Sequence, residues 1–118
     1  MQRSGLHDRA EARRATRSAL AVLRDAISPQ EAHDLGSQLP KEFRALMSTP
    51  KGRSTPPEHL EMESLTSHVR SVLAPENRDR AEEVTLGIFA TLREAVSPGE
   101  LEDVAGVLPP ELQRVLAA

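Results

Sequence analysis

Acid–base and metal chemistry depends mainly on histidine and carboxylate side chains, and the chain carries four histidines, His7, His33, His59 and His68. His33 stands beside Asp34, a pairing that can orient an imidazole as a base, but no partnering nucleophile accompanies it. His59 and Glu63 lie one helical turn apart and could give two metal ligands. A usable site needs more, and nothing resembles the two-histidine helical zinc signature. Ser28 and Ser97 lack a Gly-x-Ser-x-Gly elbow, and the scattered glycines form neither a dinucleotide fingerprint nor a phosphate loop. With no cysteine there is no thiol nucleophile, disulfide or Cys-ligated zinc. The expectation is a protein that is not an enzyme and that holds no metal or cofactor.

Arginines make the sharpest pattern. Arg9, Arg13, Arg17 and Arg24 fall within roughly a quarter of a helix circumference at about 100° per residue, with Arg14 flanking them. One reading is a solvated helix face partly neutralised by Asp8, Glu11 and Asp25. The other is a docking stripe for an acidic partner or a phosphate backbone, which makes these five arginines the candidate interaction surface. A net charge of −3 opposes a whole-protein nucleic-acid footprint. Phe43 and Phe89 are the only aromatic side chains, so stacking platforms for single strands are lacking.

The elements that must position these residues come in two copies. An offset of 69 residues aligns 12–47 with 81–116 and makes thirteen of the 36 positions identical, far more than chance alignment gives. Among them are Thr16 with Thr85, Leu23-Arg24 with Leu92-Arg93, Ser28-Pro29 with Ser97-Pro98, Leu39-Pro40 with Leu108-Pro109, and Glu42 with Glu111. Asp8 reads as the N-cap of a long helix with Glu11 in its first turn, and Asn77 occupies the matching cap. Ala12, Ala15, Ala19, Leu23 and Ala26 form one apolar stripe, and Val84, Ile88, Leu92 and Ala95 repeat it, predicting two helices of about five turns. Ser28-Pro29-Gln30-Glu31 and Ser97-Pro98-Gly99-Glu100 are capping boxes with Pro at the first helical position. Each closes a long helix and opens a short one, and Leu39-Pro40 and Leu108-Pro109 start a third. Glu31, Glu42, Glu100 and Glu111 are thereby first-turn residues that complement the helix dipole.

Pro50, Gly52, Pro56 and Pro57 make 49–57 a linker between a first copy at 8–48 and a second at 58–118. Met62, Leu65, Val69, Val72 and Leu73 recur at helical spacing and define a leading helix for the second copy, ending before Pro75. The same offset carries this helix past residue 1, so the first copy is expected to lack one. The charge differs too: Arg13-Arg14 becomes Glu82-Glu83, and Arg17 becomes Leu86.

A leading helix, a long Ala-rich helix ending in Leu-Arg, Ser-Pro-x-Glu, an Asp-Leu or Asp-Val pair and Leu-Pro-x-Glu resemble the bacterial family catalogued as domain of unknown function 2267. The second copy matches from about 62 to 116 and the first from about 8 to 47. The resemblance implies a compact helical fold of two related halves, and brings no established activity and no catalytic residues. The missing leading helix of the first copy is the departure from that pattern.

The expectation is one all-α domain over 1–118, a compact bundle of about seven helices without a sheet. No apolar run approaches the roughly 20 residues needed to span a bilayer, and no secretory signal is evident, so a cytoplasmic protein that does not enter the membrane is expected. The function expected is non-catalytic protein–protein interaction or scaffolding, with a partner protein or a second copy covering an apolar groove left by the absent helix. The alternatives are electrostatic nucleic-acid binding through the arginine face and, ranked lower, a small apolar ligand held beside the Ala-rich helix.

Overall fold

Helix α1 (Arg9–Ala26) buries Ala12, Ala15, Ala19, Leu20, Leu23 and Ala26 along one face, as its spacing requires. A computed structural model describes residues 9–48 and 60–117, and among them the chain forms seven α-helices, one 3-10 helix and no strand. Helices α2 (Pro29–Gly36) and α3 (Lys41–Ser48) complete the first copy. Helix α4 (Met62–Ser71), the 3-10 helix Pro75–Arg80, α5 (Ala81–Ala95), α6 (Pro98–Ala105) and α7 (Pro110–Ala117) follow. The cap at Asp8 and the linker at 49–57 lie outside the described residues. No helix of the described residues is long and apolar enough to cross a membrane.

The helix ends recur at the 69-residue offset, and so do the packing pairs. Helix α1 packs on α3 as α5 does on α7, and α2 on α3 as α6 does on α7; α1 meets α5, and α2 meets α6. An aliphatic core joins them, with Phe89 fully buried at its centre and Phe43 half-buried at its margin.

The two long helices are unequal. Helix α1 has 18 residues and α5 has 15, because the stretch expected to open α5 at Asn77 is 3-10 helix instead. Asn77 is not a cap: its side-chain amide donates to Glu11 Oε1 at 2.9 Å. The backbone N–H of Ala74 donates to Glu11 Oε2. Glu11 lies in the first turn of its own helix as expected, but it is 4% exposed and also binds the other copy. Farther along α1, the Ser18 hydroxyl donates to the carbonyl of His68 at 2.9 Å. From His68 to Ala74 the chain thus moves from Ser18 back to Glu11, so α4 runs antiparallel to α1. Helix α4 packs on both α1 and α5 and serves the two copies together.

One glycine sets the spacing of the short helices. A Cβ on Gly36 would stand 2.7 Å from Met47 Cβ, so only glycine allows α3 to approach α2 this closely. The offset puts Ala105 in this place in the second copy. There α6 packs less extensively on α7, and a cleft of about 500 Å³ opens along Arg93, Val96, Leu101, Gln113 and Leu116.

Two outcomes are expected in urea unfolding. Glu11→Ala strands a buried N–H and a side-chain amide and should cost about 1–3 kcal/mol; an unchanged midpoint would contradict the cross-copy role. Gly36→Ala should cost about 1–3 kcal/mol through overpacking, although alanine is the better helix former. A gain in stability there would mean that α3 shifts freely.

Candidate interaction surface

The arginine stripe is largely the seam between α1 and α3. Arg24 is 8% exposed, so its expected place on a surface stripe does not hold. Its guanidinium donates to the Leu46 carbonyl at 3.0 Å and pairs with Asp25 at 3.2 Å, satisfying a carbonyl in the last turn of α3. Arg17 donates to the Glu42 carbonyl at 3.2 Å, and Arg13 lies 3.7 Å from the Glu42 carboxylate. The same spacing that aligned these side chains on one face aims them at the neighbouring helix. Arg9, Arg13, Arg14 and Arg17 remain exposed, so the open basic surface is the amino-terminal half of α1. At the 69-residue offset Arg24 recurs as Arg93, and the exposed Arg9 recurs as Arg78, whereas Arg13, Arg14 and Arg17 do not recur.

The histidines do not assemble a site. His33 is exposed with Nδ1 3.4 Å from Ser48 Oγ, while Asp34 accepts from the Gln30 side chain at 3.0 Å. His68 Nδ1 lies 2.8 Å from the Ser64 carbonyl. His7 and His59 lie outside the described residues, and with His59 goes the pairing to Glu63. Among the described residues no three metal-ligating side chains converge.

Between the copies runs an apolar groove that the sequence did not locate. It encloses about 140 Å³ and is lined by Thr16 and Leu20 of α1, Leu39, Pro40 and Phe43 of the first copy, and Ile88, Thr91, Leu92 and Ala95 of α5. Ala95, expected in the buried stripe, is exposed on its wall. The alanines of α1 do not create this space, because Ala12, Ala15, Ala19 and Ala26 are all buried in the core.

The offset explains why the groove is there. Thr16 and Leu20 correspond to Thr85 and Phe89, which are completely buried on α5, the helix that α4 packs against. Thr91 corresponds to Val22, which shares a face of α1 with Glu11 and Ser18, the residues that hold α4 and its following turn. Thr16, Leu20 and Thr91 of the walls thus correspond to positions on the two long helices that α4 packs against. The groove is narrow, because the single α4 packs on both long helices; the segment in which a leading helix of the first copy would fall lies outside the described residues.

Where α2 and α6 meet, the caps also differ. Ser28 makes the full reciprocal box with Glu31, at 3.1 and 3.3 Å. At Ser97 only half of the expected box forms: its Oγ accepts from the Glu100 N–H at 3.4 Å, and its own N–H donates to Gln38 Oε1 at 2.7 Å. Burial pushes the Glu100 carboxyl above its ordinary value, and Asp103, Asp34 and Glu31 push it the same way. No donor among the described residues reaches its buried Oε2. A carboxyl that holds its proton more tightly when folded stabilises the fold below its ordinary pKa, and that contribution is lost as pH rises through the raised value. Glu100→Gln should therefore flatten the fall in stability above about pH 4.5. Glu31→Gln, which removes only the smallest of these causes, should flatten it less. Parallel urea midpoints across this range check the sign, and an unchanged slope in Glu100→Gln would refute it.

A comparison with curated proteins finds no match. The family described as Uncharacterized conserved protein (DUF2267) matches residues 1–115, and so spans both copies and the segment between them. With nearly the whole of its 118 residues covered, the chain belongs to the DUF2267 family.

Proposed function

We propose that this is a non-catalytic interaction protein that receives an amphipathic helix of another protein in the groove between α1, α3 and α5. The observation carrying this reading is the apolar groove itself, three of whose wall residues, Thr16, Leu20 and Thr91, correspond to positions on the two helices that α4 packs against. An amphipathic helix with apolar residues spaced like Leu65, Val69 and Leu73 is the shape such a surface accepts. The 140 Å³ volume suits one leucine- or phenylalanine-sized anchor, since apolar cavities of about 150 Å³ accommodate a benzene ring. The absence of cysteine accords with a reducing bacterial cytoplasm as the setting.

Electrostatic nucleic-acid binding is the second reading, favoured by the exposure of Arg9, Arg13, Arg14 and Arg17. It is weakened by the engagement of Arg13 and Arg17 with Glu42. A small apolar ligand would use the same groove without the helix.

The test is titration of the methyl-labelled full chain with a peptide of residues 60–77, which carries the α4 pattern. Saturable shifts of the Leu20, Leu39, Ile88 and Leu92 methyls are expected, abolished by Thr91→Arg and unaffected by Arg13→Glu with Arg17→Glu. No shift at about 1 mM peptide, or shifts that survive Thr91→Arg, would overturn the proposal. Groove shifts seen with chain concentration alone would identify a second copy as the occupant. Binding of duplex DNA abolished by the double arginine variant would favour the second reading.

A further inference from the structure

The two copies differ where their short helices should close. In the first, three contacts draw α3 onto α1 and α2: Arg24 donates to the Leu46 carbonyl at 3.0 Å, the Met47 side chain lies against Gly36, and Ser48 Oγ stands 3.4 Å from His33 Nδ1. At the 69-residue offset these pairs become Arg93 with Val115, Ala105 with Leu116, and Glu102 with Ala117. Ala105 carries the Cβ that Gly36 lacks, and Ala117 has no hydroxyl to offer. Helix α6 packs less extensively on α7 than α2 does on α3, and Arg93, Glu102, Ala105, Leu116 and Ala117 all line the cleft of about 500 Å³. Gln113 fixes the bend between the two helices by donating to the carbonyls of Ala105 and Leu108, each at 2.9 Å.

We propose that this cleft binds a small aliphatic carboxylate, with its acid group on Arg93 and its chain against Val96, Leu101 and Leu116. The volume lies in the range of small-molecule sites, whose walls are mostly apolar with a few polar groups that orient the ligand. Val96 and Leu101 are buried and Leu116 is half-buried, so an aliphatic chain laid along them leaves water. Arg93 decides the charge of the head group. A guanidinium stays protonated, its planar fork matches a carboxylate in two parallel hydrogen bonds, and it has donors enough to serve a protein neighbour as well. Glu102 has the opposite sign, but it is exposed, and water screens it more than it screens the half-buried Arg93. The cleft shares no lining residue with the groove between the copies, so this inference stands independently of the helix-receiving reading.

The test titrates the methyl-labelled full chain, at neutral pH and constant ionic strength, with hexanoate, hexanol and hexylammonium, which share one chain and differ in head group. Saturable shifts of the Val96, Leu101 and Leu116 methyls are expected, with hexanoate binding about tenfold more tightly than hexanol and hexylammonium binding weakest. Arg93→Gln should lower hexanoate to the affinity of hexanol, and Ala105→Leu, which fills the cleft, should weaken all three. The order of the three probes on the unaltered chain decides the matter even where Arg93→Gln fails to fold. Equal binding of hexanoate and hexanol, a preference for hexylammonium, or no saturation by about 30 mM hexanoate would overturn the inference. Shifts confined to Leu20, Leu39, Ile88 and Leu92 would overturn it as well, by placing the probe in the groove between the copies.

Discussion

The carboxylate of Glu11 holds the two halves in register. A buried charge is tolerated only where hydrogen bonds replace the water it has lost, and here both donors come from the other copy, at Ala74 and Asn77. This fixes the turn after α4 against the amino-terminal end of α1 and sets the path of α4 across the molecule. It also makes one helix sufficient for two long ones. The 3-10 stretch Pro75–Arg80 follows, since the chain leaving Glu11 must turn tightly before α5 can begin.

The helices themselves were legible because their signals are local. Pro after Ser, Pro after Leu and aliphatic spacing place the starts of the short helices in both copies to within a residue or two. What sequence reasoning misplaced were side chains whose partners lie far away in the chain. Glu11 in the first turn looks like any glutamate near a helix start, and Asn77, 66 positions further on, looks like a cap, until the chain between them is folded. Ser97 carries the same motif as Ser28, but Gln38 takes its N–H.

The arginines give the same lesson in a more useful form. Periodicity aligned Arg13, Arg17 and Arg24 correctly and left open whether their face met water or protein. Agreement between the copies does not discriminate: Arg24 recurs as Arg93 and is buried, but Arg9 recurs as Arg78 and is exposed. What sets Arg24 apart is its partner, the Leu46 carbonyl, through which it closes α3 onto α1. The groove was legible only as a missing helix; its width depended on how far α4 reaches across, which no local pattern encodes.

The contact of Gly36 with Met47 has a consequence for motion. In one half the short helices are clasped backbone to side chain at Gly36, while in the other Ala105 stands at that place and the two helices pack less extensively. Local opening is easiest where fewest apolar contacts must be broken. On that ground the halves of this protein differ in mechanical compliance, with α7, which packs less extensively on its neighbours, the easier of the two to swing away.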